Sequence, residues 1–271
     1  METGFRLSLN RLRNKPLFSK APAAKKTEQL FLAPEFSEDV LKAVRLISTC
    51  MHLKANDKSR LVWQSECNAT SFVEYDALLP LFSKMKKPKK ILEIGAGLGR
   101  SAVVFSKKQV WEADASIHLY DTNGSSTKYK QKHYDRPPKW PDVSSFCGNL
   151  ELLDRILKYN ELANYKIFDA AQIELKTLPG PYDLIYGFYS IGFHWSLEHY
   201  LDDIDPLMGP ETVLICTLNK HFEPFKRLEN YSARVLEAAG TKKGARPLSY
   251  LALSKSALPE VGLSVGEAYP G

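Results

Sequence analysis

The 271-residue sequence contains no uninterrupted apolar run long enough to cross a membrane, and its first residues lack the apolar core of a secretory signal. Cysteine is scarce, and no two cysteines form a C-x-x-C pair, which disfavours a zinc ribbon or an iron–sulfur site. Isolated thiols suit a reducing compartment. A divalent metal at Asp202, Asp203 and Asp205 is a weaker alternative, because on a predicted helix these side chains point in different directions. We therefore expect a cytoplasmic protein with no membrane span and no metal site. The four cysteines are Cys50, Cys67, Cys147 and Cys216.

Acidic residues are almost absent from the first 26 positions. The whole chain has 37 basic and 31 acidic residues, and this stretch holds seven of the former and one of the latter, so residues 27–271 carry 30 of each and are neutral. Enzymes that act on nucleic acid usually carry basic charge around the active site. A nucleic-acid partner is thus disfavoured. Residues 1–26 are predicted to be a basic, flexible arm, with a mitochondrial presequence as the alternative.

Three glycines at alternate positions follow a short apolar run. Ile91 to Ile94 predicts a buried strand, and residues 100–107 predict a helix. The glycines between them, Gly95, Gly97 and Gly99, lack Cβ atoms, so the backbone can turn sharply and a ligand can approach it closely. The helix N-terminus adds unpaired N–H groups. This segment therefore predicts a cradle for a nucleotide-like ligand.

The spacing of the motif disfavours a dinucleotide. In the fingerprint G-x-G-x-x-G, the third glycine would fall at Arg100. Glu93, two residues before the first glycine, would repel a pyrophosphate but suits a ligand that carries an ammonium group. S-adenosylmethionine has an ammonium group and no phosphate. An NAD-linked oxidoreductase is therefore a weaker alternative.

The segment from Glu93 to Gly99 resembles the first motif of class I S-adenosylmethionine-dependent methyltransferases. The resemblance covers about residues 89–217 and does not identify one protein. It implies S-adenosylmethionine as cofactor, with contacts from Glu93, Gly95, Gly97 and Gly99. It also implies an α/β fold, a Rossmann-like, doubly wound and mostly parallel sheet.

The order of predicted elements agrees with this fold, because strands and helices alternate from residue 89 onward. The chain divides into the arm 1–26, a helical N-terminal extension over 27–88 on the acceptor side, and a methyltransferase domain over 89–271. Strands are predicted at 91–94, 117–120, 165–168, 183–186, 212–216 and 247–253. Helices are predicted at 37–51, 71–85, 100–107, 151–162, 197–207 and 223–239.

Acids at two predicted strand ends are further cofactor candidates. Asp121 follows the second strand, about 20 residues beyond the glycine turn, where an acid can hydrogen-bond ribose hydroxyls. The alternative is that it caps a turn. Asp169 and Ala170 follow the third strand and resemble the family's adenine-binding motif. The alternative for Asp169 is a surface acid that caps a helix.

The fourth predicted strand runs into an aromatic segment, 187–195, that contains His194. It lacks the Asn/Asp-Pro-Pro-Tyr/Phe run of methyltransferases that modify amino nitrogens. If the acceptor is a hydroxyl, a base that titrates near neutral pH helps to remove its proton, and His194 is the candidate. Simple packing is the alternative for this histidine. Glu74 and Tyr75 could instead close over the acceptor.

These observations predict an S-adenosylmethionine-dependent methyltransferase that methylates an oxygen of a small hydroxylated metabolite or sugar. One alternative is a protein or RNA methyltransferase that docks through the basic arm. Another is a methyltransferase-like binding module without activity. The sequence does not determine the oligomeric state.

Overall fold

The computed structural model describes residues 28–35, 60–123, 148–192, 197–218, 228–237 and 249–260. They form one seven-stranded sheet with helices on both faces. The helices are α1 (Arg60–Phe82), α2 (Arg100–Lys107), α3 (Leu150–Tyr159) and α4 (Leu197–Ile204), and short 3₁₀ turns cover Leu175–Thr177 and Asp205–Leu207. The strands are β1 (Lys90–Ile94), β2 (Ser116–Asp121), β3 (Tyr165–Asp169), β4 (Tyr182–Gly187), β5 (Met208–Leu218), β6 (Ser232–Glu237) and β7 (Ser249–Ser254).

The strand order is β3-β2-β1-β4-β5-β7-β6. The first five strands in this order are parallel to one another, and β7 runs antiparallel to both β5 and β6. Chain order reverses between β1 and β4, which is the point where ligands bind in open α/β sheets, beyond the carboxyl ends of the strands. The predicted Rossmann-like, doubly wound and mostly parallel sheet is confirmed.

Successive side chains along each strand point to opposite faces of the sheet, and both faces are apolar. On β1, Ile91 belongs to the core on one face, whereas Leu92 and Ile94 belong to the core on the other. Helices α1, α2 and α3 cover the first face, and α4 covers the second. Central strands buried on both sides explain the nearly continuous apolar runs in the sequence.

Side-chain amides bind the extended segment 28–35 to the body. Asn68 of α1 accepts hydrogen bonds from the N–H groups of Leu30 and Phe31 through Oδ1, at 3.0 and 2.9 Å. Asn160, at the end of α3, exchanges two 2.8 Å hydrogen bonds with the backbone of Leu32. These amides satisfy backbone groups that have no strand partner.

One predicted helix is wrong. Residues 232–237, within the predicted helix 223–239, form strand β6, which pairs with β7 along its whole length. This segment contains helix-favouring Ala, Arg, Leu and Glu, but pairing with a neighbouring strand overrides such local preferences.

Helix α1 begins at Arg60, well before the predicted start at residue 71. Its buried residues share one apolar core with β1 and α2, so it packs directly against the methyltransferase domain. The predicted helix 37–51 lies outside the described residues, and the boundary between 27–88 and 89–271 stays a prediction. No helix among the described residues is long and apolar enough to cross a membrane.

Candidate active site

The glycine turn links β1 to α2 at the carboxyl edge of the sheet. Gly95, Gly97 and Gly99 all have left-handed backbone angles, with φ of 73°, 56° and 67°. A Cβ added to Gly95 would overlap the Ser190 side chain and lie 2.7 Å from its Oγ. Ser190 is itself held by a 2.6 Å hydrogen bond from its hydroxyl to the carbonyl oxygen of Ile94. The turn therefore needs glycine both for its conformation and for space.

Asp121 ends β2 and joins the glycine turn to it. Its Oδ2 accepts a hydrogen bond from the N–H of Gly97 at 2.6 Å, and its Oδ1 accepts one from the N–H of Thr122 at 2.7 Å. Burial raises the pKa of Asp121 to about 6, although these two N–H donors oppose the rise. Each carboxylate oxygen keeps a second lone-pair site, so the group can still accept a hydrogen bond from a ligand.

A hydroxyl connects the ends of β2 and β3. The Thr122 Oγ1 donates to Oδ1 of Asp169 at 2.9 Å, and the N–H of Ala171 donates to the same oxygen at 2.9 Å. The N–H of Ala170 donates to the carbonyl oxygen of Asp121 at 2.8 Å. Asp169 thus organises the turn that follows β3, beside Asp121. Whether it also contacts adenine stays a prediction.

Glu93 lies beneath the glycine turn, on the face of β1 that α1 and α2 cover. Its side chain is buried, and the Tyr186 hydroxyl donates to its Oε2 at 3.1 Å. Burial raises the pKa of Glu93 to about 8, while the Tyr186 hydrogen bond and the Arg100 charge oppose the rise. The predicted acid therefore lies buried at the end of β1, where burial favours its neutral form despite the nearby Arg100 charge.

Arg100, where a dinucleotide motif has glycine, begins α2 and pairs with Glu74 of α1. Its two terminal nitrogens each lie 2.6 Å from a Glu74 carboxylate oxygen, and Nη1 also donates to the Ser71 hydroxyl at 2.8 Å. Ser101 donates to the same carboxylate at 3.1 Å. Both partners of the ion pair are buried. Glu74 is a candidate from the sequence for contact with the acceptor, and in the structure its carboxylate binds Arg100 and Ser101 of α2.

The segment after β4 borders the glycine turn. Tyr189 has a φ of 60°, which is strained for a bulky side chain, and its N–H donates to Thr217 Oγ1 at 3.3 Å. The Arg100 guanidinium lies 5.7 Å from the centre of the Tyr189 ring. Backbone strain of this kind is concentrated at functional sites. His194, the predicted base, lies outside the described residues.

The predicted cofactor residues therefore converge at one edge of the sheet. The cradle has no Cβ at three positions, offers carboxylates at the ends of β1 and β2, and contains no cation except the neutralised Arg100 among the side chains described above. Such a site offers a phosphate no unpaired cation among these side chains, and Asp121 offers ribose hydroxyls a carboxylate acceptor. Among the described residues, no group of three or more His, Cys, Asp or Glu side chains is placed to hold a metal ion.

A family model described as "Methyltransferase domain" matches residues 68–246, which is more than half of the 271 residues. The chain belongs to this methyltransferase family. It is therefore an S-adenosylmethionine-dependent methyltransferase, and the class I resemblance of the glycine motif is confirmed. Residues 68–246 include most of α1, so the family match begins upstream of the predicted domain boundary at residue 89.

Solved structures similar to this methyltransferase include "the O-Methyltransferase TomG from Streptomyces achromogenes" in complex with SAM, at 14% identity and TM-score 0.45, covering 81% of this chain and 90% of that chain. A precorrin-6y C5,15-methyltransferase from Geobacter metallireducens shows 16% identity and TM-score 0.40, covering 69% and 87%. Cofactor-bound Rv0187 from MTB shows 14% identity and TM-score 0.44, covering 81% and 91%. Comparison with curated protein sequences gives no match.

Several residues that shape the methyltransferase site were missed in the sequence. Thr122 and Ser190 have short hydroxyl side chains beside predicted site residues, and this adjacency is a usable signal. No such signal marks Gly148 in the sequence. A Cβ at this position would nevertheless overlap the Thr122 carbonyl oxygen and lie 2.7 Å from Asp121 Oδ1. Its close approach to β2 follows only from the path of the folded chain.

Proposed function

We propose that this methyltransferase transfers a methyl group to an oxygen atom of a small hydroxylated metabolite or sugar. The proposal is supported most directly by where charge lies in the fold. Among the side chains that the structure describes, acids lie at the cofactor edge of the sheet, whereas a cluster of lysines lies at the opposite edge. A polyanionic substrate such as RNA would need the reverse arrangement around the reacting atoms.

The lysine cluster extends over residues 84–90, in the connection between α1 and β1. Because β1 is parallel to its neighbours, Lys89 and Lys90 lie at the amino ends of the strands, and the Asp183 carboxylate at the start of β4 accepts both of their backbone N–H groups. Residues from this cluster line a cavity of about 310 Å³ at that edge. The length of a strand separates this basic surface from the glycine turn.

Seven residues are proposed to hold the cofactor, namely Glu93, Gly95, Gly97, Gly99, Asp121, Asp169 and Ala170. The glycine turn is proposed to let the cofactor approach the backbone closely, and Glu93 to attract its positive charge. Asp121 is proposed to accept hydrogen bonds from the ribose hydroxyls through its remaining lone pairs, and Asp169 with Ala170 to border the adenine. S-adenosylmethionine supplies the methyl group as an electrophile on positively charged sulfur.

The protein's own chemical task is to orient the acceptor, exclude water and remove a proton. We assign proton removal to His194, whose imidazole would take the proton of the acceptor hydroxyl as the oxygen becomes nucleophilic. Tyr189 and Ser190, which follow β4 beside the glycine turn, are proposed to border the acceptor. The segment 27–88 is proposed to cover the acceptor side of the site.

A screen for turnover tests this proposal. The protein is incubated with S-adenosylmethionine and either hydroxylated small molecules or matched amines, and S-adenosylhomocysteine and methylated product are measured by mass spectrometry. We expect product from a hydroxylated compound. His194→Gln should lower its turnover by about 10²-fold or more without weakening cofactor binding. The control is His118→Gln, which replaces a buried histidine whose Nδ1 is hydrogen-bonded to the Tyr182 hydroxyl at 2.8 Å. This variant should keep the turnover of the wild type.

The same screen distinguishes the alternatives. Deletion of residues 1–26 should leave turnover of a small acceptor unchanged. Activity only on protein or RNA, lost on this deletion, would favour a macromolecular substrate that docks through the arm. Cofactor binding without product from any acceptor class would favour a binding module.

A further inference from the structure

Lysines border the cavity at the amino ends of the parallel strands, which is the end opposite the glycine turn. The cavity has a volume of about 310 Å³, and four exposed lysines line it. They are Lys84, Lys86, Lys87 and Lys89. Within the part of the chain that the structure describes, none of these four ammonium groups forms an ion pair or a hydrogen bond. Their positive charges are therefore available to a ligand.

Hydrogen bonds hold the backbone that bears these lysines in place. At the start of the connection, the N–H of Met85 donates to the carbonyl oxygen of Leu81 at 3.1 Å. At its end, Oδ2 of Asp183 accepts the N–H groups of Lys89 and Lys90 at 2.7 and 2.9 Å. Because the backbone is fixed before a ligand arrives, binding does not have to order it.

Acids offset the lysine charges only in part. Asp183 and Glu211 also line the cavity, so its described lining carries four positive and two negative charges, a net charge of +2. The hydroxyl of Ser256 faces the same cavity and can donate a hydrogen bond to an anion. An excess of positive charge beside a hydroxyl donor suits a ligand with more than one negative charge.

The size of the cavity and the position of its acids favour a small ligand over a nucleic-acid chain. Pockets for small molecules begin at about 300 Å³. The lysines all belong to one short connection, 84–90, and the Glu211 carboxylate beside them would repel phosphates that continue along a chain. A lysine ammonium is a point charge that binds phosphate or carboxylate groups.

We propose that this cavity binds a small polyanion, a molecule with two or more phosphate or carboxylate groups, at a site separate from the cofactor site. Strand β1 runs from Lys90 to Ile94, and the glycine turn follows it. The two sites are therefore about 15 Å apart along the strand. A ligand in the cavity should bind without displacing the cofactor.

Titration calorimetry of the full-length protein at low salt tests this proposal, with tripolyphosphate and citrate as probes. We expect one molecule of a probe to bind per chain. Lys86→Gln/Lys87→Gln should weaken this binding by about tenfold or more, whereas Glu211→Gln should strengthen it by about threefold. The matched control is Lys158→Gln/Lys166→Gln, which removes two exposed lysines from α3 and β3 and should change the affinity by less than about twofold.

The two probes identify the ligand's chemistry. Binding of tripolyphosphate alone would indicate phosphate groups, and binding of citrate alone would indicate carboxylate groups. Deletion of residues 1–26, or saturation with S-adenosylhomocysteine, should leave the affinity of the probe unchanged. A loss on either treatment would place the anion on the basic arm or at the cofactor edge and refute the inference.

Three other results would also overturn it. The first is a wild-type protein that binds neither probe, and the second is an equal loss of affinity in the two double-lysine variants. The third is tight binding of a single-stranded oligonucleotide with an affinity that rises with its length, which would make the lysines part of a surface for a polymer. All the replaced side chains are exposed, so the variants should fold as the wild type does.

Discussion

Replacing Glu93 by Gln should change how stability depends on pH. The carboxyl group has an ordinary pKa of 4.5, and burial raises it to about 8 in the folded protein. Between these values the folded state binds more protons than the unfolded state, so the free energy of unfolding falls as pH rises. Glutamine has the same shape and no ionisation. The variant should therefore gain stability relative to the wild type across this window.

The size of the effect follows from the shift. One unit of pKa corresponds to about 1.4 kcal/mol, so Glu93 costs the wild type up to about 5 kcal/mol once it is fully ionised. From about pH 6 to about pH 8, the difference between variant and wild type should grow by about 2 kcal/mol.

Urea unfolding of both proteins at several pH values, without cofactor, measures this difference. Groups that both proteins share and that do not interact with Glu93 cancel in the comparison. A difference that does not change with pH would refute the claim that Glu93 is buried with a raised pKa. A difference that falls as pH rises would show a carboxylate stabilised in its ionised form.

Three further predictions concern the cofactor edge. Gly95→Ala should abolish cofactor binding and destabilise the fold by about 1–3 kcal/mol, because its φ of 73° and the Ser190 side chain exclude a Cβ. Unfolding and binding are measured on one preparation, and unchanged binding would contradict the prediction. Asp121→Asn should weaken S-adenosylmethionine binding by about tenfold or more and lower the free energy of unfolding by about 1–3 kcal/mol, because an amide presents one acceptor to two N–H donors. Calorimetry and urea unfolding measure the two effects, and no change in either would contradict the prediction. Thr122→Val should cost about 0.5–1.5 kcal/mol through its lost bond to Asp169, and urea unfolding that shows no loss would disprove this.

The glycine turn could be predicted because its conformation depends on local chemistry. An apolar strand, three glycines and a helix start within sixteen residues leave few alternatives, and all three glycines adopt positive φ. Asp121 could be placed for the same reason, since the carboxyl ends of parallel strands meet at one edge of the sheet.

Long-range pairing could not be predicted in this way. Glu74 and Arg100 are 26 residues apart, and nothing near either residue indicates that α1 would bring them together. Strand β6 was missed because its composition favours a helix, and only its pairing with β7 makes it a strand. Neither the Glu74–Arg100 ion pair nor the β6–β7 pairing can be predicted from the local sequence, because both depend on how distant elements pack.

The central claim, that the edge formed by Glu93, the glycine turn and Asp121 binds S-adenosylmethionine, is tested most directly by calorimetric titration. The purified protein is titrated with S-adenosylmethionine, S-adenosylhomocysteine and NADH, alongside Asp121→Ala. We expect micromolar binding of the first two ligands, a large loss in the variant and no binding of NADH. A folded wild-type protein that binds neither S-adenosyl ligand, or that binds NADH tightly, would contradict the account.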